Sequence, residues 1–194
     1  MNELHQVNLF AGRFQPFHSG HLKCCEDAYK KNGLKTVIMY IHNEKFDARK
    51  PFDDKLIEEE LDIIKKNVDY IEDAIWLRFP QPVRMCRVLQ EMGYQPVLWL
   101  AGEDRIDAYQ KQLDGKGRDM IENELGMKVP ELFQTERYGS ATAVREAIKN
   151  DDKEEFKKLM PKGTDKLYDK FKEAMSSIKE GMKSITKYIQ EKLQ

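Results

Sequence analysis

Two histidines three residues apart, His18 and His21, flank Gly20 shortly after an apolar run, Val7 to Ala11. They belong to the segment Gly12-Arg13-Phe14-Gln15-Pro16-Phe17-His18-Ser19-Gly20-His21. The apolar run reads as a buried strand, and residues 19–31 as the helix that follows. A strand, a glycine-containing turn and a helix N-terminus form a place where anions bind. Backbone N–H groups point outward there, and the helix dipole favours negative charge. Two imidazoles and a guanidinium at such a turn indicate a polyphosphate on which chemistry is done. A second group, Gly139-Ser140-Ala141-Thr142-Ala143-Val144-Arg145, opens a helix late in the chain. Its hydroxyls can cap that helix; with free N–H groups and an Arg one turn inside, they also suit a triphosphate. A third, Ala101-Gly102-Glu103-Asp104-Arg105, follows the most continuous apolar run. Glycine there permits close backbone approach to a ligand. Asp104 offers acceptors to ribose or amide groups, and Arg105 can meet a phosphate. An Asp-capped helix start is the alternative reading of that stretch.

The first segment resembles the H-x-G-H signature of the nucleotidyltransferase superfamily. Its Gly-Arg-Phe-Gln-Pro-Phe-His string is most similar to the archaeal type of nicotinamide-nucleotide adenylyltransferase. Cytidylyltransferases and pantetheine-phosphate adenylyltransferases usually carry Asp where this chain has Gln15. The late segment resembles the superfamily's I-S-S-T-x-x-R signature. Ser140, Thr142 and Arg145 match it, while Ala141 and Gly139 depart from it. Gly102 to Arg105 resembles the Gly-x-Asp-Arg segment near the nucleotide and acceptor pocket. Arg49-Lys50-Pro51-Phe52 partly resembles an Asn-Pro-Phe segment, although Glu58-Glu59 stands near where a Glu-Arg pair is usual. The absence of a Lys-Met-Ser-Lys-Ser-like loop disfavours the related aminoacyl-tRNA synthetases.

The resemblance spans residues 6–150 and implies a reaction. The phosphate of an acceptor attacks the α-phosphorus of a nucleoside triphosphate, and pyrophosphate leaves. ATP with nicotinamide mononucleotide, giving NAD, is the first choice of substrates. A cytidylyltransferase acting on a phosphorylated alcohol is the enzymatic rival. A non-catalytic nucleotide-binding module working through a C-terminal helix is the rival from another class, and the presence of both histidines weighs against it. The resemblance assigns catalysis to His18, His21 and Arg145. It assigns nucleotide binding to Gly12, Arg13, Phe14, Gly20, Ser140 and Thr142, and substrate binding to Gly102, Asp104 and Arg105. It implies Mg²⁺ held mainly by the triphosphate and water, without a dedicated carboxylate cage.

The elements that must position these residues alternate along the chain. Thr36 to Ile41 and Ala74 to Leu77 read as strands, as does Pro96 to Ala101 (Pro-Val-Leu-Trp-Leu-Ala), with Glu131 to Gln134 as a last short one. Asp53 can cap a helix carrying Leu56, Ile57, Leu61, Ile64 and Val68 at helical spacing. Pro82 can open another, with Val83, Val88 and Leu89 inward, and Glu103 to Leu113 a further one before Gly115 and Gly117 break the pattern. Strands alternating with helices make a doubly wound parallel α/β sheet, Rossmann-like, over residues 1–150. Ligands of such sheets bind beyond the carboxyl ends of the strands, an edge where His18, Gly102 and Ser140 all fall. Trp99 reads as core. Trp76, near a strand end, could stack on a substrate ring, but a core or rim role is favoured. His5 and His42 read as surface or strand-end residues.

Residues 151–194 form a C-terminal helical extension. Its apolar positions Phe171, Met175, Ile178, Met182, Ile185 and Ile189 repeat at heptad spacing. Either the helix lies on its own domain, or it makes a homo-oligomer contact. Over residues 153–194 there are 11 Lys against 7 interspersed Asp or Glu. That pattern marks a solvated helix face rather than a nucleic-acid site. The whole chain has 194 residues and a formal net charge of −1, so no global basic field points to nucleic acid. No apolar run reaches the roughly 20 residues that span a bilayer, and the N-terminus lacks signal-peptide character. The three cysteines, Cys24, Cys25 and Cys86, lack zinc-ligand spacing and are expected as reduced thiols, which makes the cytoplasm the default compartment.

Overall fold

A computed structural model describes residues 3–44 and 46–178. Five strands form one parallel sheet in the order β3-β2-β1-β4-β5. They are β1 (His5–Gly12), β2 (Thr36–Ile41), β3 (Ile71–Leu77), β4 (Tyr94–Gly102) and β5 (Glu131–Thr135). Between them run α1 (Ser19–Asn32), α2 (Asp54–Asn67), α3 (Pro82–Glu91), α4 (Glu103–Leu113) and the short α5 (Lys116–Asp119). After β5 come α6 (Ala141–Lys149) and α7 (Lys153–Leu159). The expected doubly wound parallel sheet is therefore present.

Both faces of the sheet are covered, which is why its central strands are mostly apolar, with buried Asn8 interrupting the run of β1. Successive side chains alternate faces, so the core divides in two. Phe10, Ile38, Leu98 and Leu100 pack on one side with α1, α2 and α6, while Leu9, Val37, Met39 and Trp99 pack on the other with α3. Helix starts follow local chemistry. Asp53 Oδ1 accepts the Leu56 N–H at 2.8 Å, and Pro82 occupies the first turn of α3. That helix turns Pro82, Met85, Cys86 and Leu89 inward. Val83 and Val88, expected to point inward, are only half-buried on its flanks. The 3.6-residue period allows one buried stripe, and Cys86 takes the central place in it.

Past Leu113 the breakers Gly115 and Gly117 interrupt the helix but do not end helical structure. Lys116–Asp119 and a π-helical turn, Met120–Glu124, follow, with Ile121 fully buried. Beyond α6 the chain stays on the core. Phe156, Met160, Leu167, Tyr168 and Phe171 are buried in the same cluster as Phe10. Residues 168–178 are helical (α8). Of the expected heptad seam, Phe171 is fully buried and Met175 packs against that cluster, so this part of the seam faces the chain's own domain. Met182, Ile185 and Ile189 lie outside the described residues.

Candidate active site

The signature turn is built by conflict between side chains and backbone. Phe14 takes φ +47°, a left-handed conformation uncommon outside glycine. A Cβ at Gly12 would come within 2.9 Å of the Phe14 ring. The ring is buried against Phe10, Phe17 and His21, with centroid separations of 5.3, 5.0 and 5.1 Å. Phe14 thus shapes the turn and walls His21; it does not line the cleft.

The two histidines are fixed by the helix they begin. His18 is the N-cap of α1, and its Nδ1 accepts the Gly20 N–H at 3.1 Å. His21, in the third helical position, accepts the His18 N–H on its own Nδ1 at 3.3 Å. The imidazoles stack, centroids 3.8 Å apart and 27° from parallel. With both Nδ1 atoms accepting, each neutral ring carries its proton on Nε2, a donor with no partner among the described residues. Burial keeps the rings neutral. It lowers His18 to about 4 and His21 well below its usual value, the latter helped by the charge His18 would carry.

Opposite them stands the start of α6. Ser140 Oγ accepts the Thr142 N–H at 3.1 Å, so the capping reading of this serine is realised. A Cβ on Gly20 would come within 3.0 Å of the Gly139 nitrogen and 2.9 Å of the His18 ring. Only glycine lets the two helix starts approach this closely. Between them opens a cleft of about 990 Å³ at the carboxyl ends of β1, β4 and β5. His18, Gly20, His21, Gly102, Asp104, Ser140 and Thr142 all line it.

Five other expected residues, Gly12 among them, lie outside the lining of that cleft. Arg145 is buried, donating to the Gln15 carbonyl at 2.6 Å and to Thr142 Oγ1 at 3.1 Å. It braces the turn and the hydroxyl rather than lining the cleft. Arg13 and Arg105 are exposed, outside the lining residues, and Arg105 Nε lies 3.5 Å from Asp104 Oδ2. Phe14 is in the core, as above.

Two residues that carried no expected site role, Gln15 and Glu60, hold the turn from beneath. Gln15 exchanges two hydrogen bonds with the Phe52 backbone, each 2.9 Å. Glu60 is fully buried; its Oε2 accepts the Phe17 N–H at 3.1 Å and its Oε1 has no partner among the described residues. Burial raises its carboxyl well above the usual range, which favours the neutral acid. The signal for Glu60 was present: it shares the apolar stripe of α2 with Leu56, Ile57 and Ile64. Cys24 also lines the cleft, its thiol bonded to the Gly20 carbonyl at 3.2 Å. Trp99 is fully buried, whereas Trp76, near the end of β3, is exposed and outside the cleft lining.

A parallel sheet whose first turn presents two neutral imidazoles to a late helix start is the architecture of a nucleotidyltransferase. A family model described as cytidylyltransferase-like matches residues 9–147. The chain belongs to this family. No curated protein matches its sequence. Among solved structures it is similar to the Plasmodium falciparum nicotinic acid mononucleotide adenylyltransferase complexed with NaAD. That match has 14% identity and a TM-score of 0.55, covering 85% of this chain and 98% of the other. It is also similar to a bifunctional NMN adenylyltransferase/ADP ribose pyrophosphatase from Francisella tularensis. There the identity is 17% and the TM-score 0.60, over 98% of this chain and 57% of the other. A nicotinate-nucleotide adenylyltransferase-like structure from Vibrio parahaemolyticus matches at 11% identity and a TM-score of 0.56, over 85% and 99%. At these identities the likeness establishes the fold.

Proposed function

We propose that the protein transfers the adenylyl group of ATP to nicotinamide mononucleotide, forming NAD and pyrophosphate. The observation carrying this reading is the stacked pair His18–His21, whose Nε2–H donors are free at a cleft also lined by Ser140 and Thr142. The acceptor phosphate is ionised at neutral pH, so no catalytic base is required. Rate enhancement comes from holding the reactants in line and stabilising charge on the α-phosphate. His18 and His21 donate to α- and β-phosphate oxygens. Because both rings rest neutral, they act as dipolar donors and not as acids. Ser140, Thr142 and the N–H groups of α6 receive the departing β- and γ-phosphates. Arg145 acts through Thr142, whose hydroxyl it holds, and adds positive charge behind the pyrophosphate. Gly20 lets the backbone reach the phosphates, and Gly12 and Phe14 shape that turn. Arg13 and Arg105 are exposed cations outside the cleft lining that remain available to phosphate, and Asp104 with Gly102 faces the sugar.

Mg²⁺ is the expected companion. Among the described residues no group of three His, Cys, Asp or Glu could hold a metal. The imidazole and hydroxyl donors of the cleft suit an ion carried in on phosphate oxygens and water, where it neutralises phosphate charge. Three buried unpaired thiols fit a reducing compartment, and we assign the cytoplasm. No described helix is long and apolar enough to cross a membrane.

A CTP-dependent enzyme acting on a phosphorylated alcohol is favoured by the family description, whereas Gln15 and its neighbours favour the adenylyl reaction. Pyrophosphate release with Mg²⁺, ATP or CTP, and a panel of phosphorylated acceptors separates them. Turnover requiring ATP and nicotinamide mononucleotide is expected. Turnover only with CTP and a phosphorylated alcohol overturns the substrates, and nucleotide binding without turnover favours a binding module.

A further inference from the structure

Among the described residues Glu60 is the one fully buried carboxyl. Its neighbours on the inward stripe of α2 are Leu56, Ile57, Leu61, Ile63 and Ile64, a setting into which an apolar side chain would fit. Burial favours its neutral form, yet Oε1 has no partner among the described residues. A buried polar atom left unpaired costs stability, and a methionine of similar length would bring no such atom. The packing of α2 therefore gives no reason for an acid at this position.

The reason lies at the other oxygen. Oε2 accepts the Phe17 N–H at 3.1 Å, across 43 residues of sequence. Phe17 stands directly before His18, the N-cap of α1. Proline has no N–H, so between Gln15 and His18 only Phe17 offers a backbone donor by which the turn can be held. The Phe17 ring is fully buried, its centroid 5.2 Å from that of His21. The next amide, that of His18, donates to His21 Nδ1 at 3.3 Å. Fixing Phe17 thus fixes both a wall of the His21 ring and the peptide that orients it, and His21 in turn stacks on His18. Glu60 does not line the cleft itself; it reaches the reaction through the backbone.

We propose that Glu60 is a positioning residue for the transfer, holding Phe17 so that the His18 and His21 donors point at the phosphates. The inference rests on the nucleotidyltransferase reading for what the histidines do. Hydrogen bonds to charge that grows in the transition state raise kcat rather than tighten substrate binding. A misaimed pair therefore shows in kcat, with KM for ATP little changed.

Pyrophosphate release and the ring ¹⁵N shifts of the histidines are measured on the full chain for the wild type, Glu60→Gln, Glu60→Met and Glu60→Asp, with thermal unfolding to establish that each variant is folded. A neutral amide oxygen can replace the neutral acid as acceptor, so Glu60→Gln should keep the wild-type kcat and ring shifts. Glu60→Met has no such oxygen, and Glu60→Asp is one methylene short of Phe17. Both should lower kcat roughly tenfold or more, since a displacement on the order of 1 Å can cost about 100-fold, and both should move the His21 ring shifts. Wild-type kcat in Glu60→Met, whatever its melting temperature, makes Glu60 merely structural and overturns the proposal. A Glu60→Gln as slow as Glu60→Met, or a loss confined to KM for ATP, overturns it as well. If Glu60→Met does not fold, Glu60→Asp decides by the same criteria. If the wild type turns over no acceptor, the transferase reading fails and the ring shifts decide alone. Moved in Glu60→Met or Glu60→Asp but not in Glu60→Gln, they uphold the positioning; unmoved in all three, they overturn it.

Discussion

Gln15 and Phe52, 37 residues apart, are joined by two hydrogen bonds, side-chain amide to backbone N–H and carbonyl. The pairing imitates one rung of a sheet where no strand exists, and it fastens the signature turn to the loop before α2. Arg145 donates to the Gln15 carbonyl from the opposite end of the fold, so one residue joins three segments.

Gln15→Ala leaves the buried Phe52 N–H and carbonyl without partners. A loss of about 3 kcal/mol is expected, since each such group costs roughly 1–3 kcal/mol. Urea unfolding measures it. Gln15→Glu keeps one of the two bonds and should fall between. A neutral outcome for Gln15→Ala would mean that water replaces the amide and the clamp is incidental.

His18→Asn retains a side-chain oxygen able to cap α1 but removes the Nε2–H donor. His21→Ala removes the second donor. Each should lower turnover roughly 100-fold or more, as loss of a transition-state donor does, with far-ultraviolet circular dichroism unchanged. Wild-type-like pyrophosphate release from His21→Ala would refute the assigned roles.

Stability should depend on pH through opposing groups. The folded-state values of His18 and His21 lie below the unfolded one, so the unfolded chain binds more protons at mildly acid pH. Their contribution is complete above pH 6.5, the ordinary histidine value, and declines as pH falls toward about 4 for His18. Glu60 acts in the other sense. Its folded value is raised, so its contribution is complete below the ordinary 4.5 and is lost as pH rises toward the folded value. Melting temperatures across pH should fall less on acidification in His18→Asn than in the wild type. Glu60→Gln should match the wild type near pH 4 and exceed it increasingly above that. A parallel wild-type curve for Glu60→Gln would show that Glu60 is ionised in the fold.

Ser140 has two duties that substitution can separate. Ser140→Ala removes the cap, and a loss of about 1 kcal/mol is expected. Ser140→Asp preserves the cap but sets a negative charge beside the triphosphate. Stability should be retained while ATP affinity falls roughly tenfold, the scale of one close, partly solvated like-charge contact. Unchanged ATP affinity in Ser140→Asp would place the phosphates elsewhere.

Local chemistry alone was enough to read the sheet. Thr36–Ile41, the Asp53 cap, Pro82 at a helix start and the Pro96–Ala101 core strand follow from patterns a few residues long. His18, His21, Ser140 and Thr142 were legible as types at fixed spacings, because a strand–turn–helix junction is itself a local object. The sequence could not tell whether Arg145 faces a ligand or the protein. One turn inside a helix, an arginine can do either, and the outcome depends on the Gln15 carbonyl, 130 residues earlier. Phe14, assigned to nucleotide binding by the resemblance, is held instead by aromatic neighbours that surround it only after the turn closes. The position of Glu60 on the apolar stripe of α2 marked it for burial, but its partner, the Phe17 N–H, lies 43 residues earlier. Sequence by itself determined the elements, their order and the chemical types at the cleft, since those depend on neighbours within one turn or one strand. Tertiary structure decided which polar groups meet each other and which are left for a ligand. Burial and distant backbone partners set that choice, and neither is encoded within the span of a motif.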